Sequence, residues 1–153
     1  MAGMAVIHEK DMQKGRTALA QWRSAAMTQA GRNVAEAGGR GPAALRLTIS
    51  PEFGRPAMAM AVRYSLYLLE LKAPGEGVEV RVAPRGAVKI LDGPASDPHN
   101  LTPPDVIELT PDVWLRLVCG ITCWREEYDA GHISAVGERD DLSALLPLPS
   151  EGE

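Results

Sequence analysis

Aromatic side chains are scarce in this chain. Three Trp, three Tyr and one Phe serve 153 residues, so a densely packed interior has to be filled mostly by aliphatic groups. The place of each aromatic therefore carries information. Cysteine is scarcer still: two residues, Cys119 and Cys123, exclude a disulfide framework and fit a reducing compartment. No stretch approaches the roughly 20 apolar residues of a membrane span. Glu9, Lys10, Asp11 and Lys14 interrupt the apolar N-terminal residues, which excludes a signal-peptide core. The expected location is the cytoplasm.

Catalytic signatures are missing too. No glycine-rich phosphate loop, nucleophile elbow or helical zinc motif is present. Cys119 and Cys123 are four apart like helical metal ligands, but Gly120 lies between them and only His132 follows nearby, whereas structural zinc takes four ligands. They read as small buried hydrophobes, with Cys123, near a helix start, the one candidate for a reactive thiolate. His99, two residues after Asp97, reads as a solvated loop histidine, and Glu138, Asp140 and Asp141 as helix capping and solvation. The expectation is a protein without enzymatic activity, metal or cofactor.

What is present is an ordinary globular balance, 45% apolar and 24% charged, on a length that suits one domain. Charge is uneven: residues 1 to 50 carry seven Lys/Arg against three Asp/Glu, and residues 101 to 153 carry three against eleven. An acidic C-terminal half argues against nucleic acid, whose phosphates are bound through Lys and Arg. The basic N-terminal third reads as a solvated helix face rather than a site for an anionic surface.

Residues from about His8 to Ala30 predict a helix rich in alanine, with Trp22 among its apolar positions. Gly31 to Pro42, with four glycines and a proline, reads as a linker. The organisation expected is thus an N-terminal appendage over 1–42, a main domain over 43–149 and an acidic tail over 150–153. Ala43 to Ser50 suits either a short strand or a helical turn, and is taken as a strand. Pro56 opens a helix to about Lys72. Met58, Val62, Leu66 and Leu69 form one apolar stripe on it, and Met60, Tyr64, Tyr67, Leu68 and Leu71 a second. So narrow a polar side requires cover from the sheet on one face and from another helix, a second protomer or a ligand on the other.

Val78, Val80 and Val82 alternate with Glu79 and Arg81, and a turn at Pro84-Arg85-Gly86 leads into Ala87 to Leu91, a β-hairpin. Asp92 to Pro104 is a long proline-rich loop, and Val106 to Leu109 a further strand. Thr110, Pro111 and Asp112 signal a helix start and Gly120 its stop. Thr122 is the expected cap of a second short helix carrying Trp124 and Tyr128, which Gly131 ends. A strand from His132 to Val136 puts Ile133 and Ala135 on one face, and Asp140 caps a last helix with Leu142, Leu145 and Leu146 on one stripe.

This ordered series, VIELTPDVWLRLVCG followed by GHISAVGERDDLSALLPL, resembles the C-terminal half of the sterol carrier protein superfamily. Gly120, Gly131, Ile133, Ala135 and Gly137 occupy the positions of its pattern. VEVRV before Pro84, Gly93-Pro94 and Thr102-Pro103-Pro104 are similar to its bacterial, actinobacterial-type branch, and the likeness runs over roughly Pro56 to Leu148. The resemblance implies an α+β fold with a mostly antiparallel sheet of about five strands and helices packed on one face. It further implies a non-catalytic binder or carrier of a fatty-acyl or sterol-like ligand in an internal cavity. Its lining would include Leu66, Trp114, Leu117, Val118, Ile121, Trp124, Tyr128, Ile133, Ala135, Leu142 and Leu145. Two other readings stand beside it: a homodimeric interaction module whose filled core leaves no room for a ligand, and an accessory to thiol-dependent chemistry. Ala135, where the family offers a bulkier residue, is either a sign of empty space or is filled by a neighbour.

Overall fold

The computed structural model describes residues 5–36, 43–93, 105–137 and 141–149. The loop holding Asp97, His99 and Asn100, the residues Glu138 and Asp140, and the tail 150–153 lie outside the described residues. The chain is α+β, with one open mixed sheet of four strands among the described residues, in the order β2-β1-β3-β4. These are β1 (Val78–Val82), β2 (Gly86–Ile90), β3 (Asp105–Leu109) and β4 (Ile133–Val136).

The expectation of about five strands is corrected at Ala43 to Ser50. Ala43–Arg46 forms a turn of helix, α2, instead of a strand, as an AALR run with good helix formers allows. Direction is the other difference. β1 pairs antiparallel with β2, and β3 with β4, but β1 and β3 are parallel. Ile90, the end of β2, and Asp105, the start of β3, both lie opposite Val78. The chain therefore leaves β2 and enters β3 at the same end of β1. Only a step of about two strand spacings, near 4.8 Å each, separates the two points.

Strand alternation places Val78, Val80, Val82, Val88, Ile90, Ile107, Leu109 and Ile133 in the core. Glu79, Arg81, Lys89, Glu108 and Ser134 are on the opposite face, part-buried or exposed. The helices cover the first face: α3 (Arg55–Lys72), α4 (Pro111–Val118) and α5 (Trp124–Asp129). Leu66 and Leu69 of α3 have no exposed surface. The last helix expected at 140 to 146 is a single 3-10 turn, Ser143–Leu145, because Pro147, lacking an N–H, follows at once.

The N-terminal helix, α1, runs Met12–Glu36, past Gly31 and into what reads as linker. It is no detached appendage: it lies along α3, and Ala18, Leu19, Trp22 and Ala26 belong to the same core as the sheet. Gly15 explains how closely the two helices approach, since a Cβ there would stand 2.6 Å from Cβ of Tyr64 and 2.9 Å from Cδ1 of Ile7. Part of the second face of α3, Tyr64 above all, is thus covered by a helix of the same chain, while Leu71 stays 60% exposed. Trp22 is wholly buried, yet its indole N–H has no partner among the described residues. Trp22→Ala is expected to cost about 3–5 kcal/mol of unfolding free energy. Trp22→Phe keeps most of the packing and removes the unpartnered donor, so it should cost well under half as much. Urea denaturation monitored by circular dichroism measures both.

Candidate functional site

The corner between α4 and α5 begins with Thr110 as N-cap and Pro111 in the first helical turn. α4 ends at Gly120, whose φ of +72° is a conformation glycine adopts without strain. Ile121 donates its N–H back to the Arg116 carbonyl at 2.9 Å, folding the chain under α4. The cap of α5 is Cys123 instead of Thr122. The Cys123 N–H donates to Glu126 Oε1 at 3.0 Å, and the cysteine side chain accepts from the third helical residue, a reciprocal capping box. Thr122 turns inward, where its hydroxyl donates to Glu127 Oε2 at 2.9 Å.

That glutamate is the centre of a network that sequence reasoning did not anticipate. Arg116 Nε and Nη2 each donate to a different oxygen of Glu127 at 2.9 Å. Arg116 Nη1 donates to the Ile49 carbonyl at 2.9 Å, and His132 Nδ1 lies 2.8 Å from Glu127 Oε1. Glu127 has no exposed surface and Arg116 is 4% exposed. Burial pushes the Glu127 carboxyl up, but the hydrogen bonds from Arg116, His132 and Thr122 outweigh it and hold the group below the ordinary carboxylate range. The one available signal was Arg116 itself, a cation among the apolar residues of a helix whose positions 113 to 118 are all buried.

A second arginine reaches the same corner from α2. Arg46 Nη1 and Nη2 donate to Glu126 Oε1 and Oε2 at 2.7 and 2.5 Å, and Nη1 also donates to the Ile121 carbonyl at 3.2 Å. The hydrogen bond from Arg46, with smaller help from the Cys123 N–H, lowers the Glu126 carboxyl from 4.5 to about 2. Between them the two arginines pin residues 46 to 49 across α4 and α5. From the other side the C-terminal segment closes in. The Leu148 N–H donates to the Val118 carbonyl at 3.1 Å, Lys72 Nζ to the Leu145 carbonyl at 2.9 Å, and Leu142 is wholly buried.

The eleven residues singled out as a ligand lining do not surround one cavity. A side chain facing a ligand-sized space keeps surface that a water-sized sphere can reach; Leu66, Trp114, Val118 and Leu142 keep none. Trp114 fills the interior, its Nε1 donating to Ser65 Oγ on α3 at 2.8 Å. Ile133 and Ala135 share the inner face of β4, with Ala135 opposite Ile107 and half-buried at the sheet edge. Tyr128 is 49% exposed, and Leu145 is half-buried.

Leu117, Ile121 and Trp124 do converge. With Leu146 and Pro147 they form the apolar wall of a cavity of about 240 Å³, whose polar side holds Arg46, Thr122, Cys123, Glu126 and Ser143. Two larger recesses exist. One, of about 490 Å³, lies beside the hairpin with Glu70, Glu76, Glu79 and Lys89 on its walls; the other, of about 380 Å³, is an open groove between α1 and α3. The corner cavity is the stronger candidate for an apolar ligand, because its wall combines an aromatic and branched aliphatics with a few polar groups at one side. Of the two cysteines, Cys123 is exposed at this cavity, whereas Cys119 is half-buried and its thiol is raised by burial. Among the described residues no cluster of His, Cys, Asp and Glu is arranged to hold a metal ion, and no helix is long and apolar enough to cross a membrane.

The chain is an α+β domain with an open mixed sheet, helices on one face of it and a small cavity at a helical corner. Residues 54–148 match the family described as bacterial SCP ortholog, SCP being sterol carrier protein, and the chain belongs to that family. No curated protein matches it. The match leaves out α1 and α2, and with them Trp22 and Arg46.

Two outcomes follow from the charged pairs. Glu127→Gln leaves Arg116 a buried, poorly matched cation and is expected to cost about 3–5 kcal/mol. Arg116→Met combined with Glu127→Gln should cost less than the sum of the single changes, as a double-mutant cycle in denaturant will measure. For Glu126 the folded-state value lies below the unfolded one, so its contribution to stability is complete above pH 4.5 and is lost as pH falls to about 2. The stability difference between the wild type and Glu126→Gln should therefore shrink across that window and be constant above it. Thermal unfolding from pH 2 to 7 measures it.

Proposed function

We propose that this protein is a non-catalytic binder or carrier of an apolar ligand in the cytoplasm, and that it holds the ligand at the cavity between α4, α5 and the C-terminal segment. The observation that carries the reading is the convergence of Leu117, Ile121 and Trp124 on an apolar wall within the family-matched residues. Size narrows it. At about 240 Å³ the cavity is below the roughly 300–1,000 Å³ of sites that enclose drug-sized molecules. It suits a short acyl chain, or the end of a longer one, and not a whole sterol ring system. An eight-carbon chain at about 0.8 kcal/mol per methylene gains roughly 6 kcal/mol before the costs of association. The affinity expected is accordingly modest, in the micromolar range or weaker.

No observation favours self-association to the same degree. The apolar second face of α3 suggested it, and α1 covers part of that face within the chain, leaving Leu71 exposed. Trp124 provides the test, because it is the tryptophan on the cavity wall while Trp22 and Trp114 are sealed in the core. Short-chain apolar ligands should change its emission saturably, and Leu146→Trp, which places a bulky group on the wall, should weaken their binding by about tenfold or more. An unchanged emission and no displacement of a fluorescent acyl probe from delipidated protein would falsify the reading.

A further inference from the structure

The mouth of the corner cavity is held by two opposite charges that satisfy each other. We propose that this pair makes the cavity select uncharged apolar ligands, Arg46 and Glu126 being the residues that set the specificity. The inference rests on the reading of the corner as a ligand site and names the ligand class it takes.

Both side chains line the cavity, and each already holds the other, so that a charged ligand head group meets a charge of its own sign beside the opposite one. Glu126 accepts Arg46 on both oxygens and the Cys123 N–H on one of them. Arg46 spends Nη1 on Glu126 and on the Ile121 carbonyl, and Nη2 on Glu126. An incoming carboxylate would have to lie beside Glu126 on the same guanidinium, two anions sharing one cation. Asp141, whose Oδ1 accepts the Ser143 N–H at 2.8 Å, adds a further negative charge beside Ser143 on the rim. An incoming ammonium would have to displace Arg46 and face a guanidinium. A hydroxyl or an ester disturbs neither group and finds a neutral partner in the Ser143 side chain. The pair does not open near neutrality, since Arg46 keeps the Glu126 carboxyl down at about 2. It is also a property of this chain beyond the family match, because Arg46 precedes residues 54–148.

The experiment compares three probes of one tail length, 1-octanol, octanoate and octylammonium, by titration calorimetry on the full chain at pH 7. 1-Octanol is expected to bind at least about tenfold more tightly than either ion. Because an ion is better hydrated than an alcohol in any case, the variants decide the matter. Glu126→Gln, which frees Arg46, should strengthen octanoate binding relative to 1-octanol by about fivefold or more. Arg46→Gln, which frees Glu126, should do the same for octylammonium, and stands independently if the first variant unfolds. Octanol binding with octanoate and octylammonium affinities unmoved by either variant overturns this inference alone. Binding of none of the three probes overturns the ligand site itself and this inference with it.

Discussion

The buried contact between Arg116 and Glu127 is the constraint on which the corner of this structure depends. Two charges removed from water are costly, and the loss is recovered only where geometry is good and the remaining hydrogen-bonding capacity is filled. Here five segments of the chain contribute to it. α4 supplies Arg116, α5 supplies Glu127, the connection between them supplies Thr122, the residue entering β4 supplies His132, and the strap after α2 supplies the Ile49 carbonyl. Each of these elements has one position in which the network closes. The angle between α4 and α5, the entry into the edge strand and the seating of the strap are therefore set together, and the cavity beside them has the shape that this seating leaves.

A second constraint works towards the β2 end of the same helix layer. α3 is apolar around most of its circumference, and α1 meets part of that need within the chain, brought close by Gly15 and anchored by Trp22. Packing at this density leaves no large space between the sheet and its helices. Trp114 belongs to the same arrangement: its ring fills the middle of the layer and its N–H is matched by Ser65. In a domain of carrier type the interior is where a ligand would be sought. Here Trp114 and its neighbours occupy the middle of that layer, and the corner where α4 turns into α5 borders a cavity.

The two arginines make a further division of labour. Arg116 is buried and shapes the corner, whereas Arg46 is partly exposed and faces the cavity it helps to enclose. One fixes structure at a distance from any ligand, and the other meets whatever approaches the mouth. Both bind a neighbouring glutamate on the same short helix, and Glu126 and Glu127 point to opposite environments because consecutive residues on a helix lie about 100° apart.

Much of the fold was legible in the residues themselves. The alternation of Val78, Val80 and Val82, the turn before Gly86, the start at Thr110-Pro111 and the stops at Gly120 and Gly131 are local signals, since strand pleat, helix capping and left-handed backbone depend on near neighbours. Read as a series, they also indicated the family. Tertiary structure decided the rest. Nothing local distinguishes Trp114, which fills the core, from Trp124, which borders a cavity; nor does periodicity reveal that Ala135 sits at a sheet edge and Tyr128 at the surface. Arg46 and Glu126 are 80 residues apart in the chain, and only the packing of α2 against α5 makes them partners. Sequence by itself determined most of the segments that become helix or strand and the faces that are apolar, but not the helical turn at Ala43–Arg46 or the shortness of the last turn. Where space remains, and which charges meet, was decided by the folded arrangement, because volume and pairing are properties of several elements at once.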